Sequence, residues 1–246
     1  MSRHRLAVIG MIGASLVAAG ALTGCATGAP APEGMAPTPD ATASAPASEL
    51  GAAWVGGGRA IALVTTGSSS CPPVLSGEPT VSGSTVTVDL AESPRQDCTR
   101  DLAPRATLMN VPAGVDPRAG VDPRAGVALT VTGVAEGKVM LAGLGSVPAA
   151  PAEFTPSAGW VNDSLVAIVT YGSSTCVPSV EAVTAAGPNV EIQFATPPSD
   201  QVCTMDLAPR VTLADIGREA GSGAVSLVLT GGNVDAGDPI PVLGSR

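Results

Sequence analysis

Gly67-Ser68-Ser69-Ser70-Cys71, with Cys98-Thr99-Arg100-Asp101-Leu102-Ala103-Pro104-Arg105 after it, decides the architecture because it occurs twice. It returns as Gly172-Ser173-Ser174-Thr175-Cys176 and Cys203-Thr204-Met205-Asp206-Leu207-Ala208-Pro209-Arg210. Cys71 and Cys176, Cys98 and Cys203, and Arg105 and Arg210 are each 105 positions apart, so the register holds across the block. Self-similarity at a fixed spacing marks a repeated structural unit. Two copies of one small domain are expected, each with its own cysteine pair.

The flanking sequence predicts what those domains are made of. Residues 60–66 (AIALVTT) align with 165–171 (LVAIVTY), continuous apolar runs of the kind found in strands covered on both faces. Val86, Val88 and Leu90 alternate with polar residues, as do Val190, Ile192 and Phe194, the pattern of half-buried strands. The turn residues Ser82-Gly83-Ser84 and Ala186-Gly187-Pro188 precede them. Further strands are predicted at 106–111 and 211–214, and at 127–132 and 225–230. The repeats also end alike, Leu141-Ala-Gly-Leu-Gly-Ser146 matching Ile240-Pro-Val-Leu-Gly-Ser245. Short strands separated by Gly and Pro predict an all-β chain of two tandem sandwich- or barrel-like domains. Trp54 and Trp160 stand at nearly equivalent places just before the first strand, and are read as plugs for the two cores.

The N-terminus supplies an address. Arg3, His4 and Arg5 precede an apolar run from Leu6 to Leu22, the form of an export signal. Leu22-Thr23-Gly24-Cys25 resembles the lipobox of bacterial lipoproteins. That resemblance implies cleavage before Cys25 and acylation there, by diacylglycerol and an amide-linked chain such as palmitate, and hence anchoring on the outer face of the cell membrane. More than one acyl chain makes such anchoring stable. Residues 1–24 are then the signal, and 25–50 a lipidated cysteine and a tether of Ala, Pro, Thr and Ser too poor in large apolar side chains to fold. The first repeat occupies 51–146 and the second 159–246. Between them, 147–158 is a short linker stiffened by Pro148, Pro151 and Pro156.

Five cysteines less Cys25 leave four, two per repeat. Four allow three pairings; two homologous domains in an oxidising compartment favour Cys71–Cys98 and Cys176–Cys203. Each bridge closes a loop of about 28 residues, stabilising by roughly 3–4 kcal/mol in the chain-entropy account. A zinc site needs clustered Cys or His, and the single histidine, His4, lies in the leader. No metal and no cofactor are expected. One calcium reading attaches to the doubled hexapeptide at 115–120 and 121–126, through Asp116 and Asp122, but Arg118 and Arg124 beside them oppose it. Slippage in a tolerant surface loop explains the doubling.

Charge and aromatic content narrow the partners. Loss of the leader leaves ten basic residues against 21 acidic ones, a net charge of −11. Such a chain is not expected to bind nucleic acid, which calls for a basic surface. A single lysine, Lys138, among eleven arginines, with abundant Ala and Gly, suggests a GC-rich bacterial genome. The duplicated cysteine pattern is similar to one in exported actinobacterial proteins to which no activity attaches.

If the bridges form, Ser68, Ser69, Asp101 and Arg105 share one neighbourhood, and Ser173, Ser174, Asp206 and Arg210 another. These are the candidate ligand-binding residues: Arg offers a planar fork to carboxylate or phosphate, and Ser adds hydroxyls. The same residues have a structural reading, in which Asp101 caps backbone N–H groups, Ala103-Pro104 enforces an extended segment and Arg105 pairs with an acid. Serine catalysis needs a base and an orienter, and no histidine follows His4. Lys138 has no counterpart in the second repeat, and Asp97 with Asp101 is the only acidic pair that stands out. The chain is read as a non-enzymatic, lipid-anchored envelope protein that binds an envelope protein or polymer or serves as a spacer. Anion or small-solute binding in the Arg105 and Arg210 recesses is the second reading, and an envelope hydrolase the third.

Overall fold

A computed structural model describes residues 50–116, 126–146, 148–234 and 237–246. The leader, Cys25, most of the tether, Asp122, Arg118 and Arg124 lie outside the described residues. The chain is all-β. The first repeat contains β1 (Gly51–Val55), β2 (Ala60–Gly67), β3 (Val74–Leu75), β4 (Thr80–Ser82), β5 (Thr85–Ala91), β6 (Ala103–Asn110), β7 (Val127–Gly133) and β8 (Gly137–Leu141). The second contains β9 (Ser157–Trp160), β10 (Leu165–Gly172), β11 (Val180–Ala186), β12 (Asn189–Phe194), β13 (Ala208–Asp215), β14 (Ser226–Gly231) and β15 (Ile240–Leu243). No helix among the described residues is long and apolar enough to cross a membrane.

Each repeat is a sandwich with an unusual crossing. After β5 the chain passes to the opposite sheet as β6, which lies antiparallel to β2, then returns as β7 parallel to β5. The second repeat does the same: β13 pairs antiparallel with β10, and β14 parallel with β12. A two-residue hairpin led by a glycine of positive φ precedes each alternating strand, at Gly83 (φ 60°) and Gly187 (φ 65°). Val86, Val88 and Leu90 of β5 all point into the first core, and Val190, Ile192 and Phe194 of β12 into the second, as their alternation predicts.

The continuous apolar runs are explained by a third layer of packing. Ile61 and Leu63 of β2 enter the first core with Trp54, while Ala62, one residue out of phase, joins Ala53, Val55, Ala167 and Val169 between the repeats. On β10, Val166 and Ile168 face the second core, and Ala167 and Val169 face the first repeat. Both faces of β2 and β10 are covered because the sheet β1–β2–β6 packs against strands β9, β10 and β13. Side chains on that seam are small, which lets the backbones approach closely. The Gly56 N–H donates to Ser157 Oγ at 2.8 Å across it.

Several expectations shift. Trp54 and Trp160 fill the two cores, at 1% and 6% exposed, but lie inside strands β1 and β9 rather than ahead of them. β9 begins at Ser157, inside the stretch read as linker. β6 runs from Ala103 to Asn110, starting three residues before and ending one residue before the expected 106–111. β13 likewise extends 211–214 in both directions, and β14 runs one residue later than 225–230. The matching ends diverge in role. Leu141 closes β8, and Ala142 accepts the Trp54 indole N–H at 2.7 Å. Ile240–Leu243 instead forms β15, which joins β14 to β9 and links the sheets of the second repeat into one seven-stranded order.

Candidate functional site

Both predicted bridges form, Cys71–Cys98 with Cα atoms 5.5 Å apart and Cys176–Cys203 with 5.6 Å. Disulfides of this kind belong to an oxidising, extracytoplasmic compartment. Each ties the serine loop that ends one strand (β2 or β10) to the segment that enters its neighbour (β6 or β13). Pairing continues to the strand ends, with Gly67 opposite Ala103 and Gly172 opposite Ala208. Cysteines four residues beyond each glycine and five before each alanine therefore meet across the open end.

The structure gathers the candidate residues as expected. In the first repeat the Ser69 N–H donates to Asp101 Oδ1 at 3.1 Å, and the Thr99 hydroxyl bonds the same oxygen. Ser68 Oγ lies 3.0 Å from Thr99 Oγ1, and the Thr99 N–H reaches Ser70 Oγ at 2.9 Å. The second repeat copies this set: the Ser174 N–H donates to Asp206 Oδ1 at 3.1 Å, Thr204 bonds Asp206, and Ser173 Oγ is 2.8 Å from Thr204 Oγ1. The hydroxyls of Ser69 and Thr99, with the Ser69 N–H, hold the Asp101 carboxyl down to about 2. Thr204 and then Ser174 do so for Asp206, also to about 2. Hydrogen bonds donated to a carboxyl group are stronger when it is charged, so they favour the carboxylate.

The arginines act differently from the expected ion pair. Arg105 donates Nη1 to the carbonyls of Cys71 at 2.7 Å and Ser68 at 3.4 Å, and Nε to Thr65 Oγ1 at 3.4 Å. Arg210 donates Nη1 to the Cys176 carbonyl at 2.8 Å, and Nη2 to the Tyr171 carbonyl at 3.0 Å and Thr170 Oγ1 at 3.4 Å. Carbonyls released where each strand ends thus receive the guanidinium in place of a ladder partner. Gly67 and Gly172 make room for it: a Cβ would lie 2.5 Å from Arg105 Cζ and 2.8 Å from Arg210 Cζ. Burial lowers the Arg210 pKa, and its Nε has no hydrogen-bond partner among the described residues.

Three threonine pairs were missed by the sequence reading. Thr99 and Thr204 join serine loop to aspartate; buried Thr65 and Thr170 receive the arginines; Thr107 and Thr212 donate to the carbonyls of Pro73 and Pro178 at 2.7 and 2.8 Å. The signal was present for the first pair, since Cys-Thr-Xaa-Asp survives in both copies. Tyr171, which has no aromatic counterpart at Thr66, packs edge-on to Phe154 with ring centres 5.5 Å apart.

Beyond these clamps the bridge segments are exposed and apolar. Val202 (91% exposed), Met205 (103%) and Leu207 flank Cys203, and Leu102 (80%) follows Cys98. A cavity of about 560 Å³ lies beside Arg210, lined by Tyr171, Ser173, Pro198 and Asn233 among others. Another, of about 370 Å³, lies between the two repeats, with Ser69, Ser70 and Arg95 on one side and Thr175, Val177 and Gln201 on the other. Comparison with protein-family models, curated proteins and solved structures finds no match to this chain.

Proposed function

We propose that the protein is a lipid-anchored, non-enzymatic component of the cell envelope whose paired disulfide segments form a recognition surface. One observation carries the reading: Val202, Met205 and Leu207 stand in solvent on a segment fixed by Cys203 and by the Asp206–Ser174 contact. Three exposed apolar side chains within six residues of a fixed segment offer a partner contact area. The lipobox resemblance at Cys25 supplies the anchor, and the bridges agree with an outer location. Within the two motifs, Ser, Thr, Asp and Arg spend their hydrogen bonds on one another and on loop carbonyls, which favours clamping over catalysis.

Two measurements test this. Fractionation of cells expressing the full chain should find it with membranes, and Cys25→Ala should release it; a variant that stays membrane-bound removes the anchor. Capture of envelope proteins or polymers on the full chain should fall when Val202, Met205 and Leu207 are all changed to Ser with the thermal midpoint unchanged. Equal capture by both forms would show that this segment is not the recognition surface.

A further inference from the structure

The cavity between the repeats has a composition at odds with the rest of the chain. Acids outnumber bases 21 to 12 over the whole sequence, yet the lining contains Arg95 and Arg105 and no carboxylate. Both arginines line this cavity and dock on neighbouring peptide carbonyls: Arg95 Nη1 on Ser70 at 3.4 Å, and Arg105 Nη1 on Cys71 at 2.7 Å. A guanidinium has five N–H donors. Arg105 commits Nε and Nη1 to Thr65, Ser68 and Cys71, and its Nη2 makes no hydrogen bond among the described residues. The Arg95 guanidinium makes only the Ser70 hydrogen bond among the described residues. Spare donors of two cations therefore border one recess.

The opposite wall is mixed: Val177, Pro178, Val211 and Leu213 line it together with Thr175, Thr212 and Gln201, so the cavity joins a cationic side to a wall with apolar side chains among neutral polar ones. About 370 Å³ is within the usual range for small-molecule sites. The Cys71–Cys98 bridge and the Ser69–Asp101 contact fix the loop whose Ser70 and Cys71 carbonyls receive the two arginines, which lowers the ordering cost of binding. The recess is not duplicated: counting back from the bridging cysteine, Asp200 stands in the second repeat where Arg95 stands in the first.

We propose that this inter-repeat cavity binds an organic carboxylate, the carboxylate on Arg95 and Arg105 and its apolar body against Val177 and Leu213, with one site per chain. The proposal goes beyond the recognition surface at Val202, Met205 and Leu207, adding a separate small-molecule site that contains none of those residues. A planar carboxylate matches the arginine fork, and an apolar body separates the ligand from inorganic anions.

Calorimetric titration of the full chain in detergent, with empty micelles as the blank, tests it using benzoate, its neutral analogue benzyl alcohol, and inorganic phosphate. Benzoate should bind once per chain, and neither other probe should match it. Arg95→Ala should weaken benzoate about tenfold, the worth of one charge-assisted hydrogen bond, with the thermal midpoint unchanged, because Arg95 is exposed and its side chain makes a single hydrogen bond, to Ser70, among the described residues. Arg95→Lys should recover part of the loss. The proposal is overturned by absence of benzoate binding, by two sites per chain, by equal affinity in Arg95→Ala, or by benzyl alcohol or phosphate binding as tightly. None of those results moves the membrane release of Cys25→Ala, so failure here is distinguishable from failure of the anchoring proposal.

Discussion

Gly159 lies so close to Trp54 that a Cβ added to it would be 2.0 Å from the Trp54 carbonyl oxygen. The two strands that carry the core tryptophans thereby touch back to back, each with its indole in its own repeat. Only a residue without a side chain permits that approach. Gly159→Val should force the seam apart, destabilising the protein by about 1–3 kcal/mol as overpacking typically does. Urea denaturation measures this. An unchanged midpoint would mean that the repeats are energetically independent.

The arginine clamps predict that charge alone is not enough. Arg105→Lys and Arg210→Lys keep a cation but not the planar fork. Each should lower stability by about 1–3 kcal/mol, because a buried or half-buried carbonyl loses its donor. Denaturation of both single variants, measured against wild type, checks it. Full retention of stability in Arg105→Lys would reduce the fork to a point charge.

Acid should act through the two aspartates. The folded-state pKa of Asp101 and Asp206 is held down to about 2, below the ordinary carboxylate value of 3.8. A depressed pKa contributes stability that is present above the unfolded value and lost as pH falls through the folded one. The urea midpoint should therefore decline between about pH 4 and pH 2. The double variant Asp101→Asn, Asp206→Asn should be less stable at pH 7 and show a flatter decline over that window. Parallel profiles for the two forms would exclude these carboxylates as the acid-sensitive groups.

Removing a bridge should be felt most by the repeat that holds it. The double change Cys71→Ala, Cys98→Ala should cost about 3–4 kcal/mol, from the freedom restored to the unfolded chain. Hydrogen exchange should accelerate in β2 and β6 more than in β10 and β13. Equal acceleration in both repeats would show that they unfold as one cooperative unit.

Strands were legible where side chains alternate or run apolar: β2, β5, β7, β10, β12 and β14 coincide with the patterned segments to within a residue or two. β1 and β9 were not legible. Apart from the tryptophans and Val55, Gly51-Ala-Ala-Trp-Val and Ser157-Ala-Gly-Trp consist of Gly, Ala and Ser, which have little strand preference, and they are strands because they pair with β2 and β10. The duplicated motif located Ser68, Ser69, Asp101 and Arg105, and their counterparts, in one place per repeat. It did not show that the arginines would spend their donors on the carbonyls of Cys71 and Cys176, since backbone acceptors leave no trace in a sequence.

By itself, the sequence determined the two copies, their cysteine pairs and their β character, because repetition, parity of cysteines and period-two alternation are local or countable properties. The tertiary structure alone decided that the copies share a seam, that β2 and β10 are apolar on both faces for that reason, and that Arg95 and Arg105 border one cavity. Those outcomes depend on which surfaces meet after folding: Ala62 meets Ala167 across the seam, and Ser70 meets Arg95 across 25 residues of chain. The doubled cysteine block set the clamps; the packing of one copy on the other made the recess between them.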